Sequence, residues 1–103
     1  MGQAFKISSM HNSADKVVGI LKSLANTDRL VILCHIAHKE LNVAQIEELT
    51  RIHQPTLSQQ LMMLRKSDVV LTRRDGKQIY YSLKDHNLNI VLNTLHELYC
   101  DES

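Results

Sequence analysis

The chain is poor in the residues that interrupt regular structure. It has one proline and three glycines in 103 residues, no tryptophan, and only four phenylalanine and tyrosine residues together. Hydrophobic residues still make up 44% and charged residues 22%, so the composition reads as globular and mostly helical and argues against disorder. No apolar run approaches the roughly 20 residues of a membrane span, and the N-terminus lacks the apolar core of a signal peptide. No membrane partner and a cytoplasmic location are therefore expected. Met1-Gly2 opens as an N-myristoylation motif does, but Lys6 stands where that motif wants Ser or Thr. Cysteine is scarce as well. Cys34 and Cys100 lie far apart, and without an export signal they are expected to be reduced thiols at rest rather than a structural bridge. A Gly-rich phosphate loop, a Cys-x-x-Cys pair and a nucleophile-and-base constellation are all missing, which argues against an enzyme. Internal repeats and low-complexity segments are missing too.

Net charge is nearly absent, at +1, yet it is unevenly placed. From Gln54 to Lys84 six basic residues (Arg65, Lys66, Arg73, Arg74, Lys77, Lys84) face two acids (Asp68, Asp75), a net of +4 that leaves −3 elsewhere. Such a concentration suits a surface that meets an anion, although a charge run also serves as an ordinary solvated face.

At this length one domain is expected, small enough that dimerisation would help it. Residues 1–13 are mixed and polar and read as a flexible arm, with one folded unit over 14–103. Val17, Val18, Leu21 and Leu24 fall at helical spacing and predict a first helix over 14–25. Asn26 is a candidate N-cap for a second helix, 30–37, in which Leu30, Leu33, Cys34 and Ala37 line one face. Asn42 with Gln45 three residues on has the form of a capping box and opens a third helix, 43–51, with Ile46 and Leu49 inward.

After a short turn at 52–54, the stretch Gln54-Pro55-Thr56-Leu57-Ser58-Gln59-Gln60-Leu61-Met62-Met63-Leu64 predicts a fourth helix over 56–67. Leu57, Leu61 and Leu64 recur at i, i+4 and i+7, so one face packs down while Ser58, Gln59 and Met62 point away. Pro55 suits the first turn, where its missing N–H costs nothing. Thr56, Ser58, Gln59 and Gln60 place hydroxyls and amides at the N-terminal end, suited to base edges and to phosphates favoured by the helix dipole. The pattern alone equally describes an amphipathic helix with a solvated polar face. The segment after the helix favours DNA reading. Asp75-Gly76 between two β-prone segments signals a hairpin, and Arg73, Arg74 and Lys77 would sit at its tip. A reading helix followed by a basic-tipped hairpin is a winged helix-turn-helix. Its expected DNA-binding residues are Gln54, Thr56, Ser58, Gln59, Gln60, Arg65, Arg73, Arg74 and Lys77.

Asp85 starts a last helix in which Leu88, Val91, Leu92, Leu95, Leu98 and Tyr99 make a broad apolar stripe. The stripe either packs in the core or, with the first helix, forms a homodimer interface. In a dimer two reading helices would enter successive major grooves about 34 Å apart. The expected fold is thus mostly α with a small β-hairpin wing, a winged helix-turn-helix dimerising through its first and last helices.

Three blocks carry a family resemblance: Leu24-Ala25-Asn26-Thr27-Asp28-Arg29-Leu30, Leu57-Ser58-Gln59-Gln60-Leu61-Met62-Met63-Leu64-Arg65, and Arg73-Arg74-Asp75-Gly76-Lys77-Gln78-Ile79-Tyr80-Tyr81-Ser82-Leu83. In this order they resemble the ArsR/SmtB repressors over nearly the whole chain. The resemblance implies a homodimer that binds operator DNA at rest and leaves it when an inducer is sensed. Two metal sites known in that family are broken here. Leu41-Asn42-Val43-Ala44 has no thiol where one class carries Cys-x-Cys, and Asp85-His86-Asn87 has Asn where another carries His, with Leu98 and Asp101 at its later ligand positions. No metal and no other cofactor is expected, although His86, His96 and Glu97 leave room for an unusual site.

The placement of Cys34 and Cys100, the phrase beginning at Gln54 and the wing resemble the biofilm growth-associated repressor group. That likeness implies a dithiol sensor of hydrogen sulfide and reactive sulfur species, in which a disulfide or polysulfide link between Cys34 and Cys100 lowers DNA affinity. On its own residues, Cys34 also fits an inert core position. A metal or metalloid sensor, and a winged helix that activates transcription by displacing another DNA-binding protein, are the alternatives.

Overall fold

The computed structural model describes residues 6–100. Five helices and three short strands follow in the order α1 (Ile7–Leu24), α2 (Thr27–His38), β1 (Leu41–Asn42), α3 (Val43–Thr50), α4 (Thr56–Lys66), β2 (Val70–Asp75), β3 (Gln78–Leu83) and α5 (His86–Tyr99).

Local chemistry sets most of the boundaries. The Asn26 side chain accepts from the Arg29 backbone N–H at 3.0 Å and starts α2. Asn42 and Gln45 form a reciprocal capping box, each side chain accepting from the other's backbone N–H at 2.8 Å. The α3 helix stops at Arg51, which takes a left-handed conformation at φ 63° and turns the chain toward α4. Asp85 caps α5 by accepting from the Asn87 N–H at 2.9 Å.

The core sits around α2. Ile32, Leu33 and Ile36 of that helix pack with Ile46 of α3 and with Leu57, Leu61 and Leu64 of α4, all of them buried. Leu88 and Leu92 of α5 and Tyr81 of β3 close the cluster. Each such aliphatic side chain taken from water contributes about 1.5–3 kcal/mol.

Four expectations are corrected. The α1 helix begins at Ile7, so residues 7–13 are helical rather than a flexible arm; residues 1–5 lie outside the described residues. Ile7 and Met10 extend the apolar spacing of Val17 and Leu21 backward, but a polar seam from His11 to Ser13 hides the pattern. Leu49, expected inward on α3, is 52% exposed, because an eight-residue helix offers the core little beyond Ile46. In α2 the deepest residues are Ile32, Leu33 and Ile36, while Leu30, Cys34 and Ala37 pack against the core's edge. The wing is more than a hairpin. β1 adds a third antiparallel strand in the order β1-β3-β2, pairing Leu41 with Tyr81 and Asn42 with Tyr80.

Candidate nucleic-acid interface and thiol pair

The α4 helix packs on the core through its leucines and leaves its other side to solvent. Its first turn is capped from outside. The Gln54 Oε1 accepts from the Ser58 backbone N–H at 3.1 Å and from the Ser58 hydroxyl at 2.7 Å, so these two polar residues are joined at the exposed helix start. Gln59 is exposed and Thr56 half-buried. Met62, Arg65 and Lys66 continue the outer face, and with Ser58 they line an open groove of about 460 Å³ against Val43 and Tyr81.

Gln60 turns the other way. It is half-buried, and its Oε1 accepts from the Arg29 Nη1 at 3.1 Å. Arg29 also donates from Nε to the Ser23 carbonyl and from Nη2 to the Lys22 carbonyl, each at 3.0 Å. One guanidinium therefore joins the end of α1, the start of α2 and the reading helix. Arg29 belongs to the first of the three family-like blocks, yet nothing within that block discloses this role, since its Gln60 partner is 31 residues away.

The wing hairpin pairs β2 with β3 from Val70↔Leu83 to Asp75↔Gln78. Its two-residue turn is Gly76-Lys77, and the φ of +64° at Gly76 is one that glycine adopts without steric cost. The Arg73 guanidinium does not extend freely. It forks onto Glu40, with Nη2 to Oε1 at 2.7 Å and Nε to both carboxylate oxygens at 3.1 Å, and lies 4.7 Å from the centre of the Tyr80 ring. Hydrogen bonding to Arg73 holds the Glu40 carboxyl below its usual range, and the same bond raises Arg73. Lys84 likewise pairs with Asp68 at 2.6 Å. Of the six cations in the basic segment, Arg65, Lys66, Arg74 and Lys77 have no ion-pair partner among the described residues. No sequence motif points to Glu40, which stands 33 residues from the arginine it holds.

The two cysteines lie near enough for Cys100 to act on the charge of Cys34. Cys34 on α2 is half-buried, and Cys100, the C-terminal cap of α5, is exposed; both are free thiols. Burial pushes the Cys34 thiol up, and nearby Cys100 adds a smaller push in the same direction. Cys34 lines a small cavity of about 80 Å³ with His38 of α2 and with Leu92, Asn93 and His96 of α5. Asp85 spends its carboxylate on capping α5, and Asp101 lies outside the described residues. Among the described residues no group of three or more His, Cys, Asp or Glu side chains is placed to hold a metal ion.

Large apolar side chains are left bare on α1 and α5. Val18 and Leu21 are about half exposed, while Leu98 and Tyr99 are 68% and 80% exposed. No helix among the described residues is long and apolar enough to cross a membrane.

Comparison with known proteins agrees with this architecture. The family model for bacterial regulatory proteins of the arsR family matches residues 26–71, from the α2 cap through the reading helix into the wing. The biofilm growth-associated repressor of Xylella fastidiosa strain Temecula1 is 39% identical over 93 residues, covering 90% of this chain and 82% of the relative. The transcriptional activator HlyU of Vibrio cholerae is 33% identical over 99 residues, covering 96% and 92%. The crystal structure of the repressor BigR from Xylella fastidiosa superposes with a TM-score of 0.89 at 37% identity, covering 95% of this chain and all of that one. A half-buried arginine tying α1 to α4, a leucine-backed reading helix and a three-stranded wing are thus set in a shared frame, and the chain belongs to the arsR family of bacterial regulatory proteins, as a winged helix-turn-helix DNA-binding transcriptional regulator.

Proposed function

We propose that the chain is a homodimeric repressor that holds operator DNA in its reduced state and releases it when reactive sulfur species join Cys34 to Cys100. The observation that carries the reading is that Cys34 of the second helix lines a small cavity against the last helix and lies near enough to Cys100, at the end of that helix, to feel its charge. The likeness to a named biofilm growth-associated repressor supports repression. The bare apolar faces of α1 and α5 support a dimer, because contiguous patches of this kind are rarely left to water. Gln59, with the joined Gln54 and Ser58 and the half-buried Thr56, faces the major groove, and Arg65, Arg74 and Lys77, which have no ion-pair partner among the described residues, face the phosphates. Gln60, half-buried against Arg29, and Arg73, held at the surface by Glu40, support these contacts through their protein partners.

The chemistry balances with a persulfide as the only oxidant. The exposed Cys100 thiolate attacks the sulfane sulfur of R–S–SH, forming a protein persulfide and expelling R–S⁻. The Cys34 thiolate then attacks the Cys100 sulfur, forming the disulfide and releasing hydrosulfide. Overall two thiols and one persulfide give one disulfide, one thiol and one H₂S. With H₂S₃ as donor, a trisulfide link forms and two H₂S leave. Bridging α2 to the end of α5 ties the helix that backs the reading head to the dimer face. A small rotation between them misplaces the two heads relative to successive grooves.

The test is intact-mass analysis of the reduced protein after a persulfide donor, with peroxide and zinc controls and operator binding measured on the same samples. The expected product has Cys34 linked to Cys100 and no operator affinity. Cys34→Ser and Cys100→Ser each keep DNA binding and lose the response; a single variant that responds normally rules the two-thiol mechanism out. Release by zinc with both thiols unmodified would transfer the assignment to a metal sensor. A second reading, activation by displacing another DNA-binding protein, is favoured by the likeness to HlyU, named an activator. A promoter whose output rises with this protein, and falls when its gene is removed, would select it.

A further inference from the structure

The Arg73 cluster lies on one face of the small sheet and crosses all three strands. Tyr80 of β3 pairs with Asn42 of β1 on one side and with Arg73 of β2 on the other. Side chains alternate along a strand, so Arg73, Tyr80 and Asn42 share a face, and Glu40, two residues before Asn42, shares it too. Arg73 reaches across the Tyr80 ring and grips Glu40 at the corner between α2 and β1. Arg74, the next residue along β2, points to the opposite face and has no ion-pair partner among the described residues.

From this geometry we infer that Arg73 is a positioning residue that, with Glu40, sets the wing against the helix-turn-helix unit, leaving phosphate contact from the wing to Arg74 and Lys77. The root of the sheet is anchored in the core through Leu41, Val70 and Tyr81, but the hydrogen-bonded tie of the hairpin to β1 is short. β1 contributes only Leu41 and Asn42, so little of the backbone ladder resists tilting of the hairpin. A forked guanidinium–carboxylate contact is directional in a way a lysine pair is not, and it adds a tie remote from the ladder. Both partners are partly open to water, with side-chain exposures of 53% for Arg73 and 35% for Glu40. The pair therefore does little to resist global unfolding, and its effect is on the angle of the wing. Were Arg73 to serve a phosphate, it would have to surrender two carboxylate oxygens and its seat on the ring. The inference rests on the wing meeting DNA and is independent of the thiol chemistry.

The experiment measures operator affinity of the full chain across a salt series, with thermal melting as a check of folding. Arg74→Ala and Lys77→Ala are expected to flatten the slope of log K against log salt by about 0.9 for each phosphate no longer neutralised, and about twice that in a two-fold dimer. Arg73→Ala is expected to weaken binding several-fold with the slope unchanged. The charge swap Glu40→Arg with Arg73→Glu, at constant net charge, is expected to recover part of that loss, since a carboxylate at 73 gives up the Tyr80 ring and stands beside Asp75, which lies 3.9 Å from the Arg73 guanidinium. Three outcomes overturn the inference: Arg73→Ala flattening the slope as Arg74→Ala does, a charge swap that binds no better than Arg73→Ala, or Arg73→Ala leaving affinity unchanged. If neither Arg74→Ala nor Lys77→Ala alters the slope, the wing does not meet DNA, and the inference falls together with that reading.

Discussion

Gln60 sits among residues that the sequence assigns to DNA, yet replacing it is expected to cost stability rather than operator discrimination. Its carbonyl oxygen accepts from Arg29 at 3.1 Å in a half-buried position, and the same guanidinium holds two carbonyls at the end of α1. A hydrogen bond involving a charged partner contributes about 1.5–3 kcal/mol when well buried and nearer 1 kcal/mol when water shares the site. Gln60→Ala is therefore expected to destabilise by about 1 kcal/mol. Arg29→Ala removes three such bonds, but the freed carbonyls are close enough to the surface to rehydrate, so about 2–3 kcal/mol is expected. Arg29→Lys keeps the charge but has one nitrogen for three acceptors, and falls between the two. In a domain of this size 1 kcal/mol corresponds to a Tm shift of about 4–8 °C. Chemical denaturation at one fixed protein concentration, needed because a dimer's stability depends on it, gives the single variants and the double. The double-mutant cycle should return a coupling of about 0.5–1.5 kcal/mol between Arg29 and Gln60. On the folded protein, the ratio of operator to random-DNA affinity should stay within about twofold for Gln60→Ala, whereas removing a bidentate base contact costs about 1–3 kcal/mol of discrimination. Unchanged stability together with impaired discrimination would refute the reasoning and return Gln60 to the DNA face.

Gln59→Ala should do the reverse, lowering operator affinity by about 1–3 kcal/mol with little effect on nonspecific binding or on Tm; intact discrimination would mean the reading face is centred elsewhere on α4. Asn42→Ala removes one half of the α3 capping box and should cost about 1 kcal/mol by thermal melting, with the salt dependence of DNA binding unchanged. Because burial first and Cys100 second raise the Cys34 thiol, Cys34 should stay protonated at neutral pH. Its alkylation by iodoacetamide should climb about tenfold per pH unit up to pH 9. Cys100→Ser should move that climb only slightly toward lower pH, since the larger cause remains, and a plateau near pH 7 would show that burial does not control the thiol. The sign for stability is fixed by the same shift: the folded chain favours the neutral thiol, so this contribution is present at neutral pH and is lost as pH rises through the alkaline thiol range.

The features legible in the sequence are those whose cause lies within a few residues. The Asn26 cap, the Asn42 and Gln45 capping box, the stripe of Leu57, Leu61 and Leu64, the turn at Gly76 and the start of α5 at Asp85 all arise from hydrogen bonds or packing between near neighbours. With the order of these elements, they are enough to specify a winged helix-turn-helix. Other features are hidden because their cause is distant or too short to show a period. A two-residue β1 has no alternation to read, and the polar seam of α1 masks its first turns. Whether Leu49 faces in or out depends on how much of a short helix its neighbours cover, which no local pattern records.

The roles of individual side chains divide in the same way. Periodicity puts Ser58, Gln59 and Met62 on the outside of α4, and all three are exposed. It does not tell that Gln60 has an arginine waiting 31 residues upstream, or that Arg73 is claimed by a carboxylate 33 residues before it. In the sequence the two thiols are paired by a family likeness alone, and the packing of α5 on α2 is what brings the end of α5 into the neighbourhood of Cys34. Chain-local geometry is thus determined by the order of residues, whereas the partner of a long polar side chain is decided only when tertiary packing brings distant segments within about 3 Å, because hydrogen bonds and ion pairs act over that range and not along the sequence.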